Sequence, residues 1–293
     1  IGRMVSILSP YTNPTPLTRA WCLFEIYCAY KAQVTLQIVM DAEETKAFRD
    51  ALVNGKFDFN LWVSKIDLSN AQAMNKEDKF TILRVVECSM GVHELNKLVI
   101  AMLRNWLSAQ VEAVVVATSQ DESSFHLQDH SARFLNSQGL YGKAETVYRQ
   151  LLGTANEQEL GLPQVLLVKA QLALTLLKRG KLSEAETLLR QCVDGYTTTM
   201  GINHPETCAS MNNLAGVLGE RGNFTEAETL SRKALAGAKK TLGPEHPTTL
   251  STMNSLGSLL EQQGIFAEAE TLYRQALKVQ RRRLGKNNPT TLS

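Results

Sequence analysis

The sequence is poor in the residues that mark secreted, membrane-bound or metal-dependent proteins. It has only five cysteines (Cys22, Cys28, Cys88, Cys192 and Cys208), scattered and odd in number, with no C-x-x-C pair. That excludes a disulfide framework and a cysteine-rich zinc site, and it predicts free thiols in a reducing, cytoplasmic setting. Long hydrophobic runs are lacking too: the most apolar stretch, Leu98 to Ala117, is broken by Arg104, Asn105 and Glu112, which argues against a membrane span. No signal-peptide pattern opens the chain. Charge of one sign is also missing. Lys and Arg total 31 against 29 Asp and Glu, a net charge of +2, so neither nucleic acid nor an anionic membrane surface is an expected partner. Catalytic signatures are equally scarce. There is no G-x-x-x-x-G-K-[ST] phosphate loop and no Gly-x-Ser-x-Gly elbow, and His93-Glu94 lacks the second histidine of a zinc protease. His126 and His130, four apart, have no evident third ligand. No cofactor and no metal are expected.

What the chain does have is an internal repeat. His204-Pro205-Glu206-Thr207 returns as His246-Pro247-Thr248-Thr249 and again as Asn288-Pro289-Thr290-Thr291, at an interval of 42 residues. Glu184-Ala185-Glu186-Thr187-Leu188 returns at 226–230 and 268–272 with the same step, as do Gly180, Gly222 and Gly264. A more divergent unit precedes them, with Gly139 and Ala144-Glu145-Thr146-Val147 standing 41 residues earlier. Each unit reads as two amphipathic helices. Met253, Leu256, Gly257 and Leu260 follow the i, i+3, i+4, i+7 pattern in the first, and Ala269, Leu272, Tyr273, Ala276 and Leu277 follow it in the second. Gly180, Gly222 or Gly264 ends the first helix, and Pro205, Pro247 or Pro289 suits its opening turn. One hairpin cannot cover its own apolar face, so neighbours must stack.

These features together resemble the long tetratricopeptide repeats (TPR) of kinesin light chains. Met211-Asn212-Asn213-Leu214-Ala215 and Leu242-Gly243-Pro244-Glu245-His246-Pro247 carry the likeness most clearly. The resemblance covers residues 121–293 and implies an all-α solenoid coiled into a right-handed superhelix, with a concave groove lined by the first helix of each pair. Repeats are expected at about 121–160, 161–202, 203–244 and 245–286, with another starting at 287–293. Side chains three positions before the small Ala or Gly should face the groove: Asn212 and Asn254, joined by Ser251, Ser258 and Gln262 one turn either way. In the resembled family such asparagines bind the backbone of extended peptides, and an amide suits the task because it both donates and accepts. Ala170 stands where the other units have Asn. The heptads with which light chains hold their heavy chain do not appear.

Residues 1–110 show a different rhythm. Met4 to Leu8 and Val34 to Met40 read as strands, with Leu61 to Ile66 a candidate third. Helical patterns run over Leu17 to Tyr30, Glu43 to Val53, Lys76 to Ser89 and His93 to Ala109. This alternation predicts part of an open parallel α/β sheet, joined through a linker at 111–120 to the repeats. The fold class is thus α+β in two domains. Both ends read as cut, the first strand falling at the start and a repeat beginning at the end. The stretch Arg19-Ala20-Trp21-Cys22-Leu23-Phe24-Glu25-Ile26 resembles the Ser-x-Trp-Cys-Leu-x-Glu-Leu segment of Toll/interleukin-1-receptor (TIR) domains. In members that cleave NAD the glutamate four residues after the tryptophan is catalytic, which by resemblance is Glu25. The competing reading is that this helix simply packs on the sheet through Trp21, Leu23, Ile26 and Ala29.

The leading functional expectation is a scaffold or adaptor that holds a protein or an extended peptide in the repeat groove. The alternative is a TIR-like NAD hydrolase in signalling, with Glu25 as its carboxylate and the repeats as sensor or assembly domain. Self-association through the repeats is a third reading.

Overall fold

In the computed structural model, which describes residues 3–7, 9–10, 12, 15–54, 56, 59–117, 122–154 and 161–284, helical periodicity prevails along most of the chain. The chain divides into two compact units, 1–138 and 139–293.

In the first unit β1 (Arg3–Ile7) and β2 (Thr35–Val39) pair in parallel, with Val5 opposite Gln37. Parallel neighbours need a crossover, and α1 (Ala20–Lys31) supplies it after a 3-10 turn at Thr15–Thr18. The α1 face made by Ala20, Leu23, Ile26, Tyr27 and Ala29 is buried, as the spacing predicts. Trp21 departs from that expectation: it is 44% exposed, sits edge-on to Phe24 and donates its indole Nε1 to Asp78 Oδ2 at 3.4 Å. α2 (Ala42–Val53), α4 (Lys76–Ser89) and α5 (Val92–Ala117) follow the helical patterns of the sequence. α5 extends over the first seven residues of the expected linker, so 111–117 is helix. Trp106 of α5 donates to the carbonyl of Ile38 at 2.9 Å, which ties the helix to β2.

The candidate third strand at 61–66 does not form: 61–63 close a helix, α3 (Phe59–Val63), and a turn follows. In a strand, residues 59, 61 and 63 would share one face. In the helix Phe59 turns inward, 3% exposed and edge-on to Phe134 at 6.3 Å, while Leu61 turns out at 51%. Burying one large aromatic decides the local conformation over β propensity. Phe134 belongs to α6 (Glu122–Ser137), which packs on α2 inside the first unit. The division between the units therefore falls after α6, beyond residue 121 where the sequence places the first repeat.

The second unit begins with α7 (Tyr141–Thr154). Three hairpins follow: α8 (Leu162–Lys178) with α9 (Leu182–Met200), α10 (Pro205–Glu220) with α11 (Phe224–Leu242), and α12 (Pro247–Gln262) with α13 (Phe266–Leu284). The tight turn after each first helix needs a left-handed residue, and Gly180, Gly222 and Gly264 take φ of 73°, 79° and 79°. Pro205 and Pro247 open α10 and α12, each preceded by a histidine whose Nδ1 accepts the backbone N–H of Glu206 (3.3 Å) or Thr248 (3.2 Å). The caps satisfy helix donors that would otherwise lack a partner. Asn288 and Pro289 lie outside the described residues.

Within a hairpin the helices meet on small residues: Ala173, Ala215, Ala185 and Ala227 are at most 1% exposed. Between hairpins the core is shared. Leu235 of α11 packs with Leu250, Met253 and Leu256 of α12, and Val193 of α9 packs against Cys208 and Met211 of α10. A leucine taken fully out of water contributes about 1.5–3 kcal/mol, so the stacking interfaces hold the unit together.

Candidate functional site

The first helices α8, α10 and α12 touch one another in succession and form an inner row. The sequence places five groove residues on this row. Ser258 and Gln262 line a cavity of about 210 Å³ between α10 and α12, and Ser251 is exposed two turns before Ser258 on α12. Asn254 is half-buried and lines a larger, open cavity of about 950 Å³ together with Tyr273, Arg274 and Leu277 of α13. Asn212 is half-buried and donates its Nδ2 to Ser255 Oγ of the next hairpin at 3.3 Å, while its Oδ1 is buried with no partner among the described residues. It joins two hairpins as well as standing on the inner row.

Sequence reasoning missed Gly216, Gly219 and Glu220 of α10 and Ser255 of α12, which line the smaller cavity. The signal was there: at the positions of Gly216 and Gly219, the preceding repeat has Leu174 and Leu177. It also missed Glu261, whose Oε2 accepts the phenol of Tyr273 at 3.2 Å at the larger cavity.

The electrostatics are organised by a ladder that repeats with the helices. Arg149, Arg190 and Arg232, on successive second helices, reach Glu184, Glu226 and Glu268 of the following hairpin, each at 2.7 Å. Each arginine also grips a glutamate one turn back, Glu145, Glu186 or Glu228. That glutamate takes a second donor from the next hairpin: Arg179 and Lys181 at Glu145, Arg221 at Glu186, and Gln263 at Glu228. Burial raises the Glu145 carboxyl, but hydrogen bonds from Lys181, Arg149 and Arg179 outweigh it and hold it down at about 2. The ladder consumes these cations. Glu220, next to Arg221 in the chain, has no ion-pair or hydrogen-bond partner among the described residues, because Arg221 is turned to Glu186.

In the first unit Glu25 stands exposed on α1, one turn beyond the exposed Trp21. Among the described residues no group of three or more His, Cys, Asp or Glu can hold a metal ion, and no helix is long and apolar enough to cross a membrane. The five cysteines are free, and burial pushes the Cys192 thiol up to about 12.

A stack of two-helix units with a left-handed glycine in each turn and a ladder between neighbours defines a helical-repeat protein. The tetratricopeptide repeat family pattern matches residues 164–238 and 206–282, and residues 164–282 are tetratricopeptide repeats. Among solved structures, one of nearly identical TPR-like repeats from Podosopora anserina, described there as kinesin light chain repeats, is 24% identical. It covers 70% of this chain and 94% of its own, with a TM-score of 0.50. BtubC (BKLC) from P. vanneervenii is 14% identical, covers 84% of this chain and 92% of its own, and has a TM-score of 0.52. These likenesses are of fold, that of stacked tetratricopeptide-like repeats. No curated protein matches the chain.

Proposed function

We propose that the repeats hold an extended segment of a partner protein along the inner row formed by α8, α10 and α12. Tetratricopeptide repeats make the chain a protein-interaction scaffold. The observation that carries the finer reading is the inner-row polar set: Asn212 and Asn254 stand at the same register of successive repeats, and on α12 Asn254, Ser258 and Gln262 border open cavities, with Ser251 exposed on the same helix. An extended backbone has unpaired donors and acceptors along its length, and amides and hydroxyls answer both. The free thiols and the neutral overall charge fit a partner met in the cytoplasm rather than nucleic acid or a membrane.

The test is an Asn212→Ala, Asn254→Ala double variant assayed against a partner captured by the wild-type chain. Loss of two side-chain amides should weaken binding about ten-fold at about 0.5–1.5 kcal/mol per hydrogen bond. Unchanged affinity in a folded double variant would place the partner elsewhere. The NAD-cleavage reading of Glu25 draws no support from an exposed carboxylate. Nicotinamide release by the wild-type chain, lost in Glu25→Ala, is the result that would revive it.

A further inference from the structure

Two glycines open a pocket in the inner row between α10 and α12. At these two register positions α8 has Leu174 and Leu177, α12 has Ser258 and Glu261, and α10 has Gly216 and Gly219. The result is the cavity of about 210 Å³ between α10 and α12. Gly219 has an internal reason to be glycine, because a Cβ there would fall 2.9 Å from Leu259 Cδ1. Gly216 has no such reason: a Cβ would meet nothing within 4 Å. A glycine in mid-helix weakens that helix relative to alanine. Open space in front of a bare helical backbone is what close approach from outside requires.

The lining narrows the occupant. Ala215, the two glycines and Leu259 give the pocket an aliphatic floor, while Glu220, Ser258 and Gln262 bring a carboxylate, a hydroxyl and an amide to it. Glu220 is exposed, and its nearest arginine in the chain is committed to Glu186. A slender aliphatic stem with a positive tip matches both parts. An acidic side chain would set two carboxylates against each other.

We propose that this pocket is a subsite for a lysine side chain of the extended peptide, its methylenes along Leu259 and its ammonium at Glu220 and Gln262. The proposal rests on the groove reading above and adds the chemistry of the occupant.

Fluorescein-labelled nine-residue peptides of alternating Ser and Ala, with Lys, norleucine or Glu at the centre, are titrated with the 293-residue chain by fluorescence polarisation. The lysine peptide should bind about five-fold tighter than the norleucine peptide, as for a partly exposed ion pair, and the glutamate peptide most weakly. Glu220→Gln should erase the lysine advantage. Gly216→Trp should fill the pocket and abolish binding with the helical circular dichroism unchanged. If the peptides bind through Asn212 and Asn254 but show no preference for lysine, the lysine assignment is overturned and the groove reading stands. Full affinity in Gly216→Trp overturns the pocket. If no peptide binds, both readings fall.

Discussion

Gly216 and Gly257 show how one residue type serves opposite ends on neighbouring helices. A Cβ on Gly216 would enter open space, whereas one on Gly257 would lie 2.8 Å from Tyr273 Cε1. Gly216→Ala should therefore stabilise the chain by about 0.8–1 kcal/mol, the helix-propensity difference. Gly257→Ala should destabilise it by about 1–3 kcal/mol through overpacking against the partner helix. Thermal melts of the two variants check the signs. A loss in Gly216→Ala comparable with that of Gly257→Ala would mean that Gly216 is a packing residue after all.

At the scale of helices, the ladder is graded. Glu145 has three cationic donors, Glu186 has two, and Glu228 has one arginine and the amide of Gln263. The first junction should thus be the most sensitive to acid. An unfolded glutamate titrates near about 4.3, while Glu145 in the fold is held at about 2. Between those values the unfolded chain binds a proton that the folded chain does not. Stability from Glu145 is therefore fully present above about pH 5 and lost as pH falls toward 2. Urea midpoints measured from pH 2 to 6 should fall more gently in Glu145→Gln than in the wild type, although the variant starts lower at neutral pH. Parallel curves would show that other carboxylates dominate acid unfolding. Exposed pairs such as Arg274–Glu270, with side chains 78% and 60% exposed, should matter little, because solvent screens them.

For the molecule as a whole, the division at 138/139 separates a unit built on a short parallel sheet from one built on local helix–helix contacts. Helical repeats are stabilised by nearest-neighbour interfaces, so residues 139–293 are expected to fold on their own. Expressed without the first unit, that fragment should give a cooperative melt by circular dichroism and resist trypsin in α8 to α13. A fragment without a thermal transition would show that the repeats depend on the first unit.

The 42-residue step, the left-handed glycines, the prolines at helix starts and the apolar stripes were all determined by the sequence. Each is a local requirement of backbone geometry or periodicity, and local requirements are written in consecutive residues. The parallel strands β1 and β2 were legible for the same reason. The Phe59–Val63 helix was not, because its conformation follows from Phe134, which is 75 residues away. Nor could the sequence say that Asn212 reaches Ser255, or that Arg221 turns from Glu220 toward Glu186. The pocket at Gly216 belongs to the same class. A missing side chain becomes a cavity only when another helix stands opposite it, and the stacking of α12 on α10 decides that.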